Sequence, residues 1–250
     1  MTLLPDALDE ARRIVAEASD AGLTLRLLGG LAVLFHSPSA THRALVRSYP
    51  DLDFALADKR GNRVEKLLGD LGYEPNKTFN LLNGDSRLLF YDTANERQVD
   101  VFVGGFQMCH RIPITERIVL EPLTLPLAEL LLTKLQVVQM NEKDVRDLCA
   151  LLLDHPFGEG DVETFNLPLI AKWCADDWGL SKTVSLSAQK VRDYCETHDL
   201  EPDQKHIIIE RLTALGAALD GAPKSLKWKT RAKIGERMQW YELPEEVKRG

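Results

Sequence analysis

Two aspartates separated by one residue are the side chains in this sequence best suited to metal chemistry. They lie in the tetrad Asp51-Leu52-Asp53-Phe54, where polar and apolar residues alternate as they do in a strand. Residues i and i+2 of a strand project from one face, so the two carboxylates should stand side by side. A divalent cation would relieve both their repulsion and the cost of burying them. Magnesium, which prefers oxygen ligands, fits this pair.

A third acid, Asp100, lies within the β-prone stretch 98–103. If that strand runs beside the strand of Asp51 and Asp53, Asp100 could complete a metal site or accept a proton from an attacking hydroxyl. The alternative is structural, with Asp51 as a turn residue at the start of a strand and Asp53 pointing to water. The glycines upstream and the third acid downstream favour the functional interpretation.

Glycines and cations around these acids could hold phosphate. Gly29 and Gly30 follow a predicted strand over 23–28 and precede an apolar helix that begins near Leu31, an arrangement that lets backbone N–H groups approach an anion. A plain tight turn is the alternative. Arg47, in the loop before Asp51, could form a bidentate contact with phosphate or an ion pair with a surface acid. Arg43 has the same two options.

Lys134 falls within the apolar arc of a predicted helix over 126–140, with Glu129, Thr133 and Gln136 on the opposite face. A lysine among leucines must extend to the helix rim or meet a buried anion, and a triphosphate is such an anion. The next predicted helix starts after Asn141. Its acids Asp144 and Asp147 suit the helix dipole and are interpreted as mainly structural.

The elements that position these residues change in character along the chain. Helix signals cover 6–21, strand signals cover 51–57, 88–91 and 98–103, and helical periodicity dominates after about residue 121. We therefore predict an α/β (α+β) protein with a core over residues 1–122 and a helical domain over 123–250.

Composition limits the possible partners and location. The 250 residues carry 31 basic and 38 acidic side chains, a net charge of −7, so any nucleic-acid contact must be local. Segment 224–237 is the candidate, because six cations face one acid there and tryptophan lies among them. A solvated amphipathic helix is the alternative. The sequence has no apolar run long enough for a membrane span and no evident secretion signal, and its four cysteines show no paired spacing. These features predict a cytoplasmic protein.

The ordered motifs resemble the polymerase-β-type nucleotidyltransferase superfamily. Leu28-Gly29-Gly30, then Asp51-Leu52-Asp53, then an acid in a later strand matches that family's pattern over roughly residues 23 to 154. Residues 47–53 resemble the Arg-x-Thr-x-Asp-x-Asp stretch of its abortive-infection type IV toxin branch, although Tyr49 stands where threonine is usual. The expected fold is a nucleotidyltransferase-like mixed sheet with flanking helices and a helical C-terminal region.

The resemblance implies transfer of a nucleoside monophosphate from a nucleoside triphosphate to an acceptor hydroxyl, with Mg²⁺ or Mn²⁺. The implied metal ligands and catalytic residues are Asp51, Asp53 and Asp100. The implied nucleotide-binding residues are Gly29, Gly30, Arg47 and Lys134. RNA, protein or a small molecule could be the acceptor, and the toxin branch implies a cognate antitoxin. The competing hypothesis is a catalytically silent nucleotide-binding or partner-binding module of the same fold.

Overall fold

A five-stranded mixed sheet forms the first part of the protein in a computed structural model that describes residues 3–244. The strand order is β1-β2-β5-β4-β3, with β2 and β5 parallel and the other neighbours antiparallel. The strands of this sheet are β1 (Leu25–Leu28), β2 (Asp51–Leu56), β3 (Glu74–Pro75), β4 (Arg87–Asp92) and β5 (Arg97–Val103). Two small two-stranded sheets pair β6 (Phe106–Gln107) with β7 (Arg111–Ile112) and β8 (Phe157–Gly158) with β9 (Phe165–Asn166).

Helices flank this sheet and then take over the chain. The first four are α1 (Ala7–Asp20), α2 (Gly29–His36), α3 (Asn62–Leu71) and α4 (Lys77–Asn83). The later six are α5 (Leu127–Leu135), α6 (Glu142–Asp154), α7 (Leu167–Asp176), α8 (Trp178–Thr197), α9 (Pro202–Gly221) and α10 (Leu226–Ile234). Short 3-10 helices cover Pro38–Thr41 and Gly235–Arg237. The predicted fold class, a mixed α/β sheet with flanking helices and a helical C-terminal region, is confirmed.

The middle of the sheet is buried on both faces, which explains its composition. Strand β5 has neighbours on either side and is apolar at Val99, Val101 and Val103, all buried. The valines lie on one face and Asp100 and Phe102 on the other, and all of them are buried, so both faces are covered although the strand keeps its period of two. Asp100 is therefore an acid within the core, with only 3 % of its surface exposed.

Helix α5 differs from its prediction in length and in surroundings. It ends at Leu135 rather than near residue 140, and Glu129, Thr133 and Gln136 are buried, although the helical wheel places them opposite the apolar arc. The reason is that α5 packs against α2, α6, α7 and α8 at once, so it has no solvent face of its own. Glu129 meets this burial by pairing with Arg117.

Other differences are local. Helix α4 is not predicted, because its seven residues are too few for a clear periodicity. Helix α2 begins at Gly29, two residues earlier than predicted. The described part of the chain contains no helix that is both long and apolar enough to span a bilayer. The division at residues 122 and 123 stays a prediction.

Candidate active site

The register between β2 and β5 places the predicted acids together. Asp53 lies directly opposite Asp100, and Asp51 lies opposite Gln98. Because paired residues of parallel strands project from the same face, the side chains of Asp51, Asp53 and Asp100 share one face of the sheet. On the other side of β2, Asp53 pairs with Leu28, the last residue of β1. The glycine that follows Leu28 is thus adjacent to Asp53.

Asp53 is the acid whose charge is least compensated. Burial, followed by the neighbouring charges of Asp100 and Asp51, raises its pKa to about 7, although Lys134 and Arg87 act in the opposite direction. Carboxylates that share a site with other carboxylates resist simultaneous ionisation. A perturbed acid of this kind, lining a cavity, is a candidate functional group.

Asp100 is held by side chains from the sheet itself. One carboxylate oxygen accepts from Nε of Arg87 at 2.7 Å, and the other accepts from Nε2 of Gln98 at 2.8 Å. The Arg87 guanidinium lies over the rings of Phe79 and Phe102, at 5.6 and 5.4 Å from their centroids. Asp100 is thus fixed in orientation, and an arginine from β4 shields its charge.

The two glycines are required by contacts with the site. Gly29 has φ of +70°, and a Cβ added there would lie 2.0 Å from Oδ2 of Asp53. A Cβ at Gly30 would lie 2.0 Å from Nη2 of Arg47 and 2.9 Å from the Tyr49 ring. The absence of side chains therefore lets Asp53 and Arg47 approach the first turn of α2, whose N-terminus favours negative charge.

Lys134 and Arg47 share a carboxylate from helix α6. Asp147 receives two hydrogen bonds from Arg47, at 2.7 and 2.6 Å, and its Oδ2 lies 2.8 Å from Nζ of Lys134. Lys134 also bonds to Asp144 at 3.0 Å. Burial acts to lower the pKa of Lys134, but the charges of Asp147 and Asp144 outweigh it, so the pKa lies above its usual value. We call these four side chains the ion network.

The ion network revises the prediction for both cations. Lys134 does meet a buried anion, but that anion is a pair of protein carboxylates, Asp147 and Asp144. Two cations and two acids sum to zero charge, so the network offers a phosphate no excess positive charge. Asp147 is structural as predicted, and it also orients both Arg47 and Lys134 toward the site. Arg43 pairs with Asp199 on the exposed surface and is remote from this chemistry.

Two cavities meet at Asp53 and Lys134. The larger cavity, of about 670 Å³, is lined by both residues and by Gly29, Arg87 and Gln98, with an apolar wall. That wall includes Phe102, Phe106, Met108 and Val137. The smaller cavity, of about 220 Å³, is lined by the same two residues and by Gly30, Arg47, Tyr49, Asp51, Asn141, Lys143 and Asp144.

Two of the three predicted metal ligands, Asp51 and Asp53, are accessible to a divalent cation. Asp51 and Asp53 line the smaller cavity, and the raised pKa of Asp53 marks negative charge that a cation would stabilise. Asp100 lines neither cavity, because Arg87 and Gln98 cover it. Among residues 3–244, no three His, Cys, Asp or Glu side chains cluster closely enough to hold a metal ion together. The residues fit a cation at the Asp51–Asp53 pair, with Asp100 adjacent.

Sequence reasoning missed several lining residues. Arg87 and Gln98 belong to strands and carried no motif, although an arginine at the start of β4 could have been matched to the acid in β5. Lys143, exposed at the start of α6, lines the smaller cavity and is in none of the recorded ion pairs of the described residues. Tyr49, where the resembled motif has threonine, packs 4.1 Å under the Arg47 guanidinium.

Comparison with known proteins adds little to this geometry. No protein-family model matches the chain, and no curated protein matches it. One solved structure to which it is similar is a tRNA nucleotidyltransferase complexed with a primer tRNA and an incoming ATP analog. The identity is 11 %, the match covers 91 % of this chain and 64 % of that chain, and the TM-score is 0.28. The chain thus spans less than two thirds of that protein.

Proposed function

We propose that the protein is a metal-dependent nucleotidyltransferase of the polymerase-β type, which moves a nucleoside monophosphate from a nucleoside triphosphate to an acceptor hydroxyl. The observation that carries the proposal is the register of Asp53 opposite Asp100, with Gly29 against Asp53. It joins three motifs distant in sequence at one end of one sheet. The excess negative charge around Asp53 favours binding of a divalent cation at this end of the sheet.

Asp51 and Asp53 are the side chains that would hold Mg²⁺ or Mn²⁺. Bound there, the cation would neutralise charge on the phosphates. Gly29 and Gly30 would admit the triphosphate to the N-terminus of α2, where no side-chain cap exists within the described residues. Lys143, exposed at the edge of the smaller cavity, is the cation we add to the phosphate-binding set.

Arg47 and Lys134 would act through their position as well as their charge. Each is already paired with Asp147, and the ammonium of Lys134 uses two of its three N–H donors on Asp147 and Asp144. A phosphate would thus meet donors that are fixed in place and cost little reorganisation.

Proton transfer falls to Asp100. In nucleotidyl transfer the acceptor oxygen bonds to the α-phosphorus, pyrophosphate leaves, and the acceptor proton goes to a base. A carboxylate has about four acceptor positions, so the bonds from Arg87 and Gln98 leave Asp100 capacity to take that proton. Arg87, on the wall of the larger cavity, would stabilise the charge that develops beside it.

Three further parts of the proposal are based on the motif resemblance. They are membership in the abortive-infection type IV toxin branch, a cognate antitoxin, and RNA, protein or a small molecule as acceptor. Segment 47–53 supports the branch in its order of Arg47, Asp51 and Asp53, and differs from it at Tyr49.

A catalytically silent nucleotide-binding or partner-binding module is the second candidate. Two observations favour it: Asp100 is covered by Arg87 and Gln98, and the ion network has no excess positive charge. Such a module would bind a triphosphate with magnesium and transfer nothing.

Label transfer from radioactive triphosphates, with magnesium and with candidate RNAs, proteins or aminoglycosides, separates the two candidates. We expect Asp53→Asn to abolish transfer, and Asp70→Asn, an exposed acid on α3, to leave it unchanged. Equal transfer by the Asp53 variant would refute the enzymatic assignment. Calorimetric binding of a triphosphate by the unaltered protein, without transfer to any acceptor, would establish the silent module instead.

A further inference from the structure

A second cavity rich in tryptophan lies among the C-terminal helices. Its volume is about 620 Å³, within the range of small-molecule sites. Three tryptophans from separate segments line it: Trp178 at the start of α8, Trp228 on α10 and Trp240 beyond the last 3-10 helix. We call it the tryptophan cavity. Most of its accessible lining is apolar, and nothing in the proposed chemistry uses it.

The aromatic walls are held in fixed positions. Trp240 donates from Nε1 to Oγ1 of Thr183 at 3.1 Å and meets Trp178 edge-on, with ring centroids 6.0 Å apart. The Arg231 guanidinium lies 4.8 Å over the Trp178 ring and donates to the carbonyls of Gly235 and Met238. Because these contacts set the walls before any ligand arrives, an inserted planar ring would lose little to reorganisation.

Charge around the tryptophan cavity selects the kind of ligand. Segment 224–237 carries six cations and one acid in a chain of net charge −7. Its four exposed cations, Lys227, Lys229, Lys233 and Arg237, are in none of the recorded salt bridges of residues 3–244. Asp176 and Asp177, both exposed, also line the cavity, and their carboxylates repel phosphate and can accept hydrogen bonds from amino groups. An uncharged base inside and phosphates outside satisfy both features.

The chain itself links this cavity to the candidate active site. Trp240 lines the tryptophan cavity, and Leu243 and Pro244 line the larger cavity beside Asp53. Between them, Glu242 donates its backbone N–H to the carbonyl of Cys109 at 3.0 Å. Three residues of extended chain span about 10 Å, roughly the rise of three stacked nucleotides.

We propose that the tryptophan cavity binds a base of a single-stranded nucleic acid whose reactive end lies in the larger cavity. This inference rests on the proposed function and names the acceptor class for it. The tryptophans stack the base, the exposed lysines of α10 contact the backbone, and the strand follows residues 240–244 toward Asp53. Stacking on aromatic rings tolerates any base, so we expect little sequence preference at this site.

Fluorescence anisotropy with labelled single-stranded RNA and DNA of about 12 nucleotides tests this without any catalytic readout. Trp228→Leu should weaken binding about 5- to 140-fold, the range for one lost base stack. Trp173→Leu is the matched control, because Trp173 is a half-buried tryptophan on α7 that does not line the cavity. Circular dichroism confirms that each variant is folded.

A second variant keeps the test valid if Trp228→Leu fails to fold. Lys227→Ala should lower both the affinity and its salt dependence, whereas Lys77→Ala, an exposed lysine on α4, should change neither. Poly-glutamate serves as an anionic ligand without bases. If Lys227→Ala weakened the binding of poly-glutamate as much as that of the oligonucleotide, charge alone would be recognised and the proposal would be overturned. So would unaltered binding by both cavity variants, or no binding of either nucleic acid.

Failure of this inference is separable from failure of the proposed function. In an Asp53→Asn background, Trp228→Leu should still weaken oligonucleotide binding by the same factor, because Trp228 lines the tryptophan cavity and Asp53 does not. Binding that depends on Trp228, with no nucleotide transfer, would support the cavity and refute the enzyme. Transfer that depends on Asp53, with no effect of Trp228 or Lys227, would support the enzyme and refute the cavity.

Discussion

Two groups of buried charges lie side by side in this protein and differ in balance. In the ion network, Arg47 and Lys134 face Asp147 and Asp144, and every charge has an opposite neighbour. On the adjacent sheet face, Asp53 stands among other acids and its pKa rises to about 7. Burying a charge is costly unless it is paired, so a structural network tends toward balance. The imbalance at Asp53 is the feature that the proposed cation would relieve.

Removing the Asp147 carboxylate should destabilise the protein more than any other single change to these two groups. Asp147→Asn would leave two buried cations with one carboxylate, and removing one partner of a buried ion pair costs about 3–5 kcal/mol. We expect a loss of that size in chemical denaturation. Asp199→Asn, which breaks an exposed pair with Arg43, should cost less than about 1 kcal/mol. Equal effects of the two changes would mean that the network is not structural.

A smaller loss is expected where the backbone meets the unbalanced acid. In Gly29→Ala, the left-handed backbone costs about 1–2 kcal/mol and the clash with Asp53 about 1–3 kcal/mol, roughly 2–5 kcal/mol together. Gly69→Ala is the matched change on α3, where an added Cβ meets nothing within 4 Å, and it should stabilise by about 0.5–1 kcal/mol. Thermal unfolding of both variants measures the difference. A tolerated Gly29→Ala would show that Asp53 does not lie against α2.

Replacing Asp53 should stabilise the protein rather than destabilise it, and the gain in free energy of unfolding should depend on pH. Because folding raises the pKa of Asp53 from 3.8 to about 7, the folded state binds the extra proton and loses stability as pH rises between these values. Asp53→Asn removes that loss. It should raise the free energy of unfolding by about 1–2 kcal/mol at pH 8, allowing for solvent screening, and by almost nothing at pH 3.5.

Unfolding of the metal-free protein and of Asp53→Asn at several pH values gives this difference directly. If Asp53→Asn were less stable than the unaltered protein at pH 8, the Asp53 carboxylate would be stabilised by opposite charges, as the members of the ion network are. The two groups would then not differ in charge balance.

The sequence predicted the acids better than their partners. Period-two alternation placed Asp51 and Asp53 on one face, and it needs only local information. That Asp100 faces Asp53 depends on β2 and β5 being neighbours, which no local pattern encodes. The same holds for Arg87, whose importance follows from the pairing of β4 with β5. Strand order is set by the whole chain.

Lys134 shows where periodicity misleads. The helical wheel identified it as a cation in an apolar setting, and the structure agrees that it meets a buried anion. The wheel also assigned Glu129 to solvent, although α5 is enclosed by other helices on all sides. One helix pattern cannot reveal how many neighbours will cover it, and so it could not distinguish a phosphate from Asp147 as the partner.

The shared wall between the two cavities has a kinetic consequence. Asp53 and Lys134 line both recesses, so occupants of the two would be neighbours rather than rivals for one space. A donor nucleotide in one cavity and an acceptor in the other could be bound at the same time. Transfer would then be direct, without a covalent nucleotidyl-enzyme intermediate. Initial rates measured against both concentrations should then give intersecting reciprocal plots rather than parallel ones.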